Sequence, residues 1–388
     1  MDWVLECSNC GVEREPDGLP TVCEACGKPW LVRYPTRVPT PADRDRVGER
    51  QTGAGGGGLG MWRFRPFLPV TPDEAPVTLG EGDTPLLPVP RLRHALGFSQ
   101  LWVKDEGTNP TGSFKARGLS AAVTRAVLAG ARAFTLPTAG NAGVAAAAYG
   151  AQAGARVRVF APRTTPQPIL NQIRAFGAHL ELLDGHIGDC GRASRAFAAE
   201  TGAVDLSTLR EPYRIEGKKT LGLELAEQMN WTLPDVIIYP TGGGTGLIGM
   251  WKAFKELAAA GWVVAKPPRL FTVQATGCAP VVKAFQEGSI GCSPWLEPWT
   301  VASGLRVPSP LGDRVMLQAL RESGGGVVAV ADRDLTQAAA NGTSMEGIDF
   351  APEGGAALAA LTPLRAQGLI GRDDRVVVFN TGAGWLYR

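Results

Sequence analysis

Short apolar runs alternate with helix-like segments along most of the chain. Nine runs rich in Val, Ile, Leu and Phe are each followed by a helical pattern or a turn: LWVK, AFTLPT, RVRVFAP, HLELLDG, VDLST, DVIIYPT, RLFTVQA, GVVAVAD and RVVVFNT. Continuous apolar runs indicate strands that are buried on both faces, as in parallel sheets covered by helices. The pattern predicts an α/β fold with two doubly wound parallel-sheet domains, whose ligands bind at the carboxyl ends of the strands.

The composition divides the chain into three parts. Residues 1–34 form a cysteine-rich head, and residues 35–60 form a linker rich in proline, charge and glycine. Residues 61–388 form the body, in which we expect a smaller α/β subdomain at about residues 119–215 and a larger subdomain built from the remainder. The body is therefore where we expect the chemistry.

The composition also narrows the class of partner. With 388 residues, 44% of them hydrophobic, the chain can bury a large core. A formal net charge of +2 and the lack of basic runs argue against nucleic acid and against an anionic membrane. The N-terminus shows neither a signal peptide nor a spanning segment. We expect a cytoplasmic protein that acts on a small molecule. The three histidines form no recognisable site pattern, which disfavours a Ser-His-Asp hydrolase.

The stretch NPTGSFKARG places Lys115 in an unusual position for a lysine. Residues 109–112 are turn residues, Ser113 is a suitable N-cap, and apolar residues recur at helical spacing from Leu119. Lys115 should therefore lie in the first turn of a helix, where partial positive charge disfavours an ammonium group. Either this lysine is a tolerated surface residue, or its amine is held in the neutral form.

A glycine-rich turn follows the buried strand in DVIIYPTGGGTGLIGMWKAF and leads into a helix. The turn consists of Gly242, Gly243, Gly244, Thr245 and Gly246. Glycines let the backbone amides point inward and the helix dipole adds to them, so the turn predicts a phosphate site. It lacks the Gly-Lys-Ser/Thr ending of a P-loop. Two alternatives remain: an NAD fingerprint, for which Gln274 replaces the expected acid, and a turn that only packs helix on strand.

Two further strand ends carry polar side chains. The segment AFTLPTAGNAG brings Thr138 and Asn141 to the turn before an alanine-rich helix, and RVVVFNTGAGW brings Asn380 and Thr381 to a glycine-rich turn. An amide in such a turn can reach a ligand's oxygen while its small neighbours admit a flat ring. Taken singly, Asn141 equally suits a helix cap, and Thr381 an ordinary turn.

Together these features predict a site for pyridoxal 5'-phosphate (PLP). An amine near positive dipoles loses its proton more easily, as a Schiff-base lysine requires. Lys115 would bind the cofactor aldehyde and, once the substrate displaces it, would act as the base at the substrate's Cα–H. The second hypothesis is a non-catalytic protein that binds an amino acid or a phosphorylated metabolite. Lys115 argues against it, because a binding module would not need an amine at that helix end.

The motifs resemble those of threonine synthases, which belong to the fold type II family of PLP enzymes. The segments GMWRFRPFLPV, LGEGDTPLLPVPRL, VKDEGTNPTGSFKARG, YRIEGKKT and GMWKAF occur in the family's order and spacing. The resemblance implies that Lys115 carries PLP with Phe114 under the ring, that Asn141 contacts the ring hydroxyl, and that Thr381 meets the pyridine nitrogen. It assigns the cofactor phosphate to residues 242–246.

The resemblance also implies a reaction, in which O-phospho-L-homoserine and water give L-threonine and phosphate. Thr138 and Arg214 would bind the substrate, Glu353 in APEGGAALAAL would help to seat the site, and the enzyme would be a homodimer.

This chain departs from the family pattern at several polar positions. Ala116 stands where the family has Asp, Ala142 where it has Thr, and Thr208 and Leu209 where it commonly has Asn-Ser. Several of those polar groups bind the substrate's phosphate in the family. An ammonia-lyase acting on serine or threonine, or a β-replacement enzyme acting on an O-substituted serine, is therefore the alternative reaction.

The head carries a strong four-thiolate pattern. Cys7-x-x-Cys10 and Cys23-x-x-Cys26 are separated by twelve residues, with Gly11 and Gly27 suited to tight turns. Such a closed site predicts a structural Zn2+ in a zinc-ribbon-like head, and four reduced thiols without metal are the alternative. Six acidic residues against three basic ones in residues 1–34 disfavour nucleic acid. The other three cysteines, Cys190, Cys278 and Cys292, have no motif, so we expect them to pack in the core.

Overall fold

The computed structural model describes residues 2–48, 60–264 and 266–388. The strands are β1 Val4–Cys7, β2 Glu13–Arg14, β3 Trp30–Arg33, β4 Leu86–Pro88, β5 Gln100–Asp105, β6 Ala133–Pro137, β7 Arg156–Pro162, β8 His179–Leu183, β9 Val204–Asp205, β10 Val236–Pro240, β11 Arg269–Ala275, β12 Gly326–Val330 and β13 Arg375–Asn380. The α-helices are α1 Pro41–Gly48, α2 Pro90–Leu96, α3 Lys115–Leu128, α4 Asn141–Gln152, α5 Gln167–Ala175, α6 Ile187–Thr201, α7 Tyr213–Gln228, α8 Thr245–Ala259, α9 Pro280–Gln286, α10 Asp313–Glu322, α11 Asp332–Glu346, α12 Pro352–Ala359 and α13 Leu361–Ala366. Each of the nine apolar runs coincides with one of the strands β5 to β13, so the predicted alternation is confirmed.

The larger sheet has the strand order β12-β11-β10-β13-β5-β4. Its pairs are parallel except for β4 with β5. Both faces of β10 are buried, because Ile237 and Tyr239 belong to one apolar cluster while Val236 and Ile238 belong to another. The apolar pattern did not predict β4, since this edge strand has three residues and ends in Pro88, and proline is tolerated only at sheet edges.

The second parallel sheet has the order β8-β7-β6-β9. Its strands fall inside residues 119–215, the range expected for the smaller subdomain, although the subdomain boundaries remain a prediction. Helix α7 packs against both α3 and α8, and residues 213–226 of α7 are all buried. This packing brings α7 beside the first turn of α3, where Lys115 lies.

The head forms an antiparallel sheet of order β2-β1-β3. The predicted linker of residues 35–60 contains the helix α1, and its glycine-rich stretch, residues 49–59, lies outside the described residues. In the part of the chain that the structure describes, no helix is both long and apolar enough to cross a membrane. Cys190 and Cys278 are fully buried as predicted, whereas Cys292 is partly exposed.

Candidate active site

A cavity at the carboxyl ends of β10 and β13 collects the predicted cofactor residues. It is lined by Phe114, Lys115, Asn141, Thr381 and the turn of residues 242–246. Four loops that lie far apart in the sequence therefore meet around Lys115. Glu353, Leu305 and Tyr387 also line this cavity.

Lys115 is held by the turn that precedes α3. The helix begins at Lys115, and Phe114 rather than Ser113 occupies the N-cap position, so the predicted cap was wrong by one residue. Ser113 still accepts the Lys115 amide through Oγ at 3.4 Å. The Phe114 amide donates to the Thr381 carbonyl at 3.1 Å, which ties this turn to the end of β13.

A buried ionic network also holds the turn that precedes α3. Arg117 donates through Nε to Glu106 at 2.7 Å and through Nη2 to Glu224 at 2.8 Å, and all three side chains are fully buried. Asn109 donates to Glu106 at 2.8 Å. Removing one partner from such a network leaves an uncompensated buried charge, which is strongly destabilising. The NPTGSFKARG stretch is therefore held rigidly.

The surroundings of Lys115 favour its neutral amine. Burial, and to a lesser extent the positive charge of Arg214, lower the pKa of Lys115 to about 7 against the opposing effect of Glu353. The direction agrees with the argument from the helix dipole, but burial is the largest cause. At neutral pH a large fraction of this amine is therefore free to act as a base or a nucleophile.

A second buried lysine, Lys218, lies beside Phe114. Its Nζ is 4.1 Å from the centroid of the Phe114 ring and donates to the Phe114 carbonyl oxygen. Burial and the charges of Lys115 and Arg214 hold the pKa of Lys218 well below its usual value. The sequence argument missed Lys218, because α7 is buried all round and its pattern does not indicate which face meets the site.

Three glycines of the glycine-rich turn, Gly242, Gly244 and Gly246, have no room for a side chain. Gly244 has φ of 80° and caps α8. A Cβ at Gly242 would lie 2.1 Å from the Gly304 carbonyl oxygen, and a Cβ at Gly246 would lie 1.9 Å from Tyr239 Oη. Glycine is thus required here by close approach. The turn presents backbone N–H groups at a helix N-terminus, which is the arrangement that binds phosphate.

Asn141 is the first residue of α4 and faces the C-terminus of the chain. Its Nδ2 donates to Tyr387 Oη at 3.3 Å, while its buried Oδ1 has no partner among the described residues. The Glu353 carboxylate accepts the Gly304 amide at 2.7 Å. Burial raises the pKa of both Glu353 and Tyr387. Tyr387 was not predicted, since a penultimate tyrosine in an irregular segment carries no sequence signal.

The two predicted substrate residues, Thr138 and Arg214, do not line this cavity. The Thr138 hydroxyl accepts the amides of Gly140 and Gly143 at 3.1 Å and donates to the Gly140 carbonyl at 2.7 Å, so it serves its own loop. Arg214 is buried and donates through Nη1 to the Leu206 carbonyl at 2.7 Å. Its Nε and Nη2 are buried and have no partner among the described residues.

One departure from the family pattern, Thr208, lies beside the glycine-rich turn. Thr208 Cγ2 would be 3.0 Å from a Cβ at Gly243. Leu209 is buried with φ of 63°, a left-handed conformation that is rare for a residue with a large side chain. Leu209 therefore places a buried apolar side chain where the resemblance leads one to expect a polar one.

The four head cysteines lie together. Their sulfur atoms are all within 4.8 Å of one another, with Cys7 to Cys26 at 3.4 Å and Cys10 to Cys23 at 3.7 Å. A tetrahedral site with Zn–S bonds of about 2.3 Å needs sulfurs about 3.8 Å apart. The four thiols are unbridged, and their spacing fits one zinc ion.

Comparisons with known proteins agree with this site. The family described as pyridoxal-phosphate dependent enzyme matches residues 77–382. The chain belongs to that family. A threonine synthase from Methanocaldococcus jannaschii is 32% identical over 379 residues, which cover 97% of this chain and 91% of that protein. A threonine synthase from Methanosarcina acetivorans is 33% identical with the same coverage. The solved structure of a threonine deaminase from T.th. matches with a TM-score of 0.66 at 25% identity, over 77% of this chain and 92% of that chain.

The protein is therefore a PLP-dependent enzyme of fold type II, and its residues fit the cofactor. Close packing of Gly242, Gly244 and Gly246 against neighbouring protein atoms fixes the turn at the N-terminus of α8, where its backbone N–H groups suit a phosphate. The unpartnered Asn141 Oδ1 suits a polar group on the ring, and Lys115 lies in the same cavity. The NAD alternative receives no support from the family match.

Proposed function

We propose that this enzyme is a lyase of the threonine synthase type, which converts O-phospho-L-homoserine and water to L-threonine and phosphate. The observation that carries the proposal is Arg214, a fully buried guanidinium with two unpartnered N–H groups beside Lys115. The charges of Glu211 and Asp205 act on Arg214 but leave its Nε and Nη2 without an acceptor among the described residues. Buried N–H groups are normally hydrogen-bonded, so these two suit a ligand that accepts hydrogen bonds, such as a phosphate. The relatives named threonine synthase, at 32–33% identity over nearly the whole chain, support the same assignment.

The proposal requires two anion sites with different roles. Residues 242–246 would hold the phosphate of the cofactor, with Lys115 at its aldehyde, Asn141 at its ring hydroxyl and Thr381 at its ring nitrogen. Arg214 would hold the phosphate of the substrate through paired charge-assisted hydrogen bonds from Nε and Nη2. Thr138 would support that second site indirectly, through the shape of the loop before α4.

The residues of the chain account for the proton transfers. Bound PLP would supply the electron sink that makes the substrate's Cα–H acidic. Lys115, neutral because it is buried next to Arg214, would take the Cα proton and hold it for later shifts. Phosphate would leave Cγ toward Arg214, and water would add at Cβ. The atoms of substrate and water are then those of threonine and phosphate.

A second candidate, ammonia elimination from serine or threonine or β-replacement on an O-substituted serine, has its own observation. The Thr138 hydroxyl is used within its loop, the Thr208 methyl group lies near Gly243, and Leu209 is a buried apolar residue where the family commonly has a polar one. A pocket with fewer polar groups suits a smaller leaving group. The match to a solved threonine deaminase supports this fold for such a reaction.

The test separates the two candidates by their products. PLP-loaded enzyme is incubated separately with O-phospho-L-homoserine, threonine, serine and an O-substituted serine, and phosphate, threonine, ammonia and 2-oxo acids are measured. The proposal expects threonine and phosphate from the first substrate. The rate of their formation should fall on the order of 30-fold in Arg214→Gln, because the substrate's phosphate loses its buried charge partner. Arg163→Gln, which breaks only an exposed ion pair with Asp184, is the matched control. Rapid deamination of threonine without threonine synthesis would favour the second candidate.

We also propose that Cys7, Cys10, Cys23 and Cys26 hold one structural Zn2+. A site with four protein ligands has no position left for substrate, so the ion would stabilise the head without taking part in turnover. The predicted homodimer and the predicted cytoplasmic location remain expectations from the sequence.

A further inference from the structure

The cysteine-rich head packs against the first residue of α7. Tyr213 is only 4% exposed, and its ring lies in the buried apolar cluster of the head. The head members of that cluster are Trp3, Leu5, Cys7, Cys23, Trp30 and Val32. Two of the four predicted zinc ligands therefore share a packed cluster with a residue of the body. A change in structure at the cysteine site would therefore alter the packing around Tyr213 at the start of α7.

Two further contacts join the head to α7. The guanidinium carbon of Arg125 is 4.9 Å from the centroid of the Trp3 ring and 5.8 Å from the centroid of the Tyr213 ring. Tyr34 donates through Oη to Glu216 at 2.7 Å, one turn further along α7. The head thus contacts the first two turns of the helix that carries Arg214.

Tyr213 and Arg214 share one backbone anchor. The buried Glu211 carboxylate accepts the amide of Tyr213 at 2.8 Å and the amide of Arg214 at 3.1 Å. The backbones of Tyr213 and Arg214 are therefore held together, so a shift of the Tyr213 backbone would also shift the point from which the Arg214 side chain extends. That side chain is oriented by one hydrogen bond, to the Leu206 carbonyl, while its Nε and Nη2 have no partner among the described residues. The orientation of the Arg214 side chain therefore depends on the position of its backbone.

We propose that Tyr213 is a positioning residue, through which packing of the cysteine-rich head holds Arg214 in place to bind an anion. The inference rests on the proposed function, because it takes Arg214 as the group that binds the substrate's phosphate. Its consequence is that loosening the head, by substitution of Tyr213 or by loss of metal from the four cysteines, weakens anion binding. The KM for the phosphorylated substrate should then rise more than kcat falls.

The test uses inorganic phosphate as the probe of the full-length, PLP-loaded enzyme. With residues 242–246 engaged by the cofactor, calorimetric titration with phosphate reports the second anion site. We expect Tyr213→Leu, which removes the ring, to raise the dissociation constant for phosphate on the order of tenfold. Tyr213→Phe keeps the ring and should stay within about twofold of wild type. Val12→Ala, on the exposed part of the head, is the matched control and should have no effect.

A second arm treats the wild-type enzyme with a chelator and should give the same weakening of phosphate binding. If circular dichroism shows that Tyr213→Leu fails to fold, the chelator experiment alone decides whether the head affects phosphate binding. Equal phosphate affinity in wild type, Tyr213→Leu and chelated enzyme would overturn the inference, as would a wild type that does not bind phosphate. Phosphate binding that depends on both Arg214 and Tyr213, in an enzyme that makes no threonine, would support the inference while refuting the proposed function.

Discussion

At the scale of single residues, the active site is built by taking charged groups out of water. Lys115 is neutral more readily because it is buried beside Arg214, and Arg214 keeps its charge with only one of its three nitrogens bonded to a described residue. Burial disfavours the charged form of both groups: Lys115 loses its proton more easily, whereas Arg214 keeps a charge that Glu211 and Asp205 stabilise. We interpret this arrangement as preorganisation for an anionic cofactor and an anionic substrate.

The first prediction concerns the titration of Lys115. Its pKa is lowered from 10.5 to about 7, so the amine is protonated below that pH and neutral above it. The rate at which PLP-free enzyme takes up PLP should rise with pH, with a midpoint near 7, and then level off, because only the neutral amine is nucleophilic. Arg214→Gln should move the midpoint upward by removing a positive neighbour. A midpoint above about pH 9 in the wild type would contradict the argument.

The second prediction concerns the glycine-rich turn. Gly246→Ala places a Cβ where only 1.9 Å separates it from Tyr239 Oη, and overpacking of this kind costs about 1–3 kcal/mol. We expect weaker PLP binding, measured by absorbance titration of PLP-free enzyme. Gly188→Ala is the matched control, because a Cβ there meets nothing within 4 Å. Unchanged affinity in Gly246→Ala would show that the turn does not hold the phosphate.

At the scale of elements, the residues of the candidate active site lie at the ends of strands and the starts of helices. The ends of β6, β10 and β13 each lead into a turn that carries a predicted residue, as expected where ligands bind to parallel sheets. Helix α7 joins parts of the molecule. It packs against α3 and α8, and it contacts the head through Tyr213 and Glu216. A single helix therefore connects the cysteine cluster, Arg214 and the surroundings of Lys115.

The third prediction concerns the metal in the head. Protein purified without chelator should contain about one zinc per chain, because four thiolates form one closed site. Cys10→Ser should lose the metal and lower the melting temperature; since Cys10 is exposed, lost packing contributes little to that change. Cys292→Ser, outside the cluster, should keep the metal. Zinc-free protein with four reduced, accessible thiols would refute the prediction.

At the scale of the whole molecule, the sequence predicted the features that depend on local chemistry. Apolar runs, the glycine-rich turn and the turn before Lys115 each carry a local signal, and the structure places them as expected. Lys218 and Tyr387 carry none, because their roles arise from long-range packing of α7 and of the C-terminus against Phe114 and Asn141. The strand β4 was not predicted either, because its three residues are too few to carry a pattern and its place in the sheet depends on pairing with β5.

The measurement that tests the account most directly is the reaction of O-phospho-L-homoserine in water enriched in the heavy isotope of oxygen. If Lys115 removes the Cα proton, phosphate leaves Cγ and water adds at Cβ, then the threonine hydroxyl carries the heavy oxygen and the released phosphate carries none. Mass spectrometry of both products gives the answer. Homoserine with labelled phosphate would indicate simple ester hydrolysis, and an absence of labelled threonine from fully PLP-loaded enzyme would contradict the proposed function.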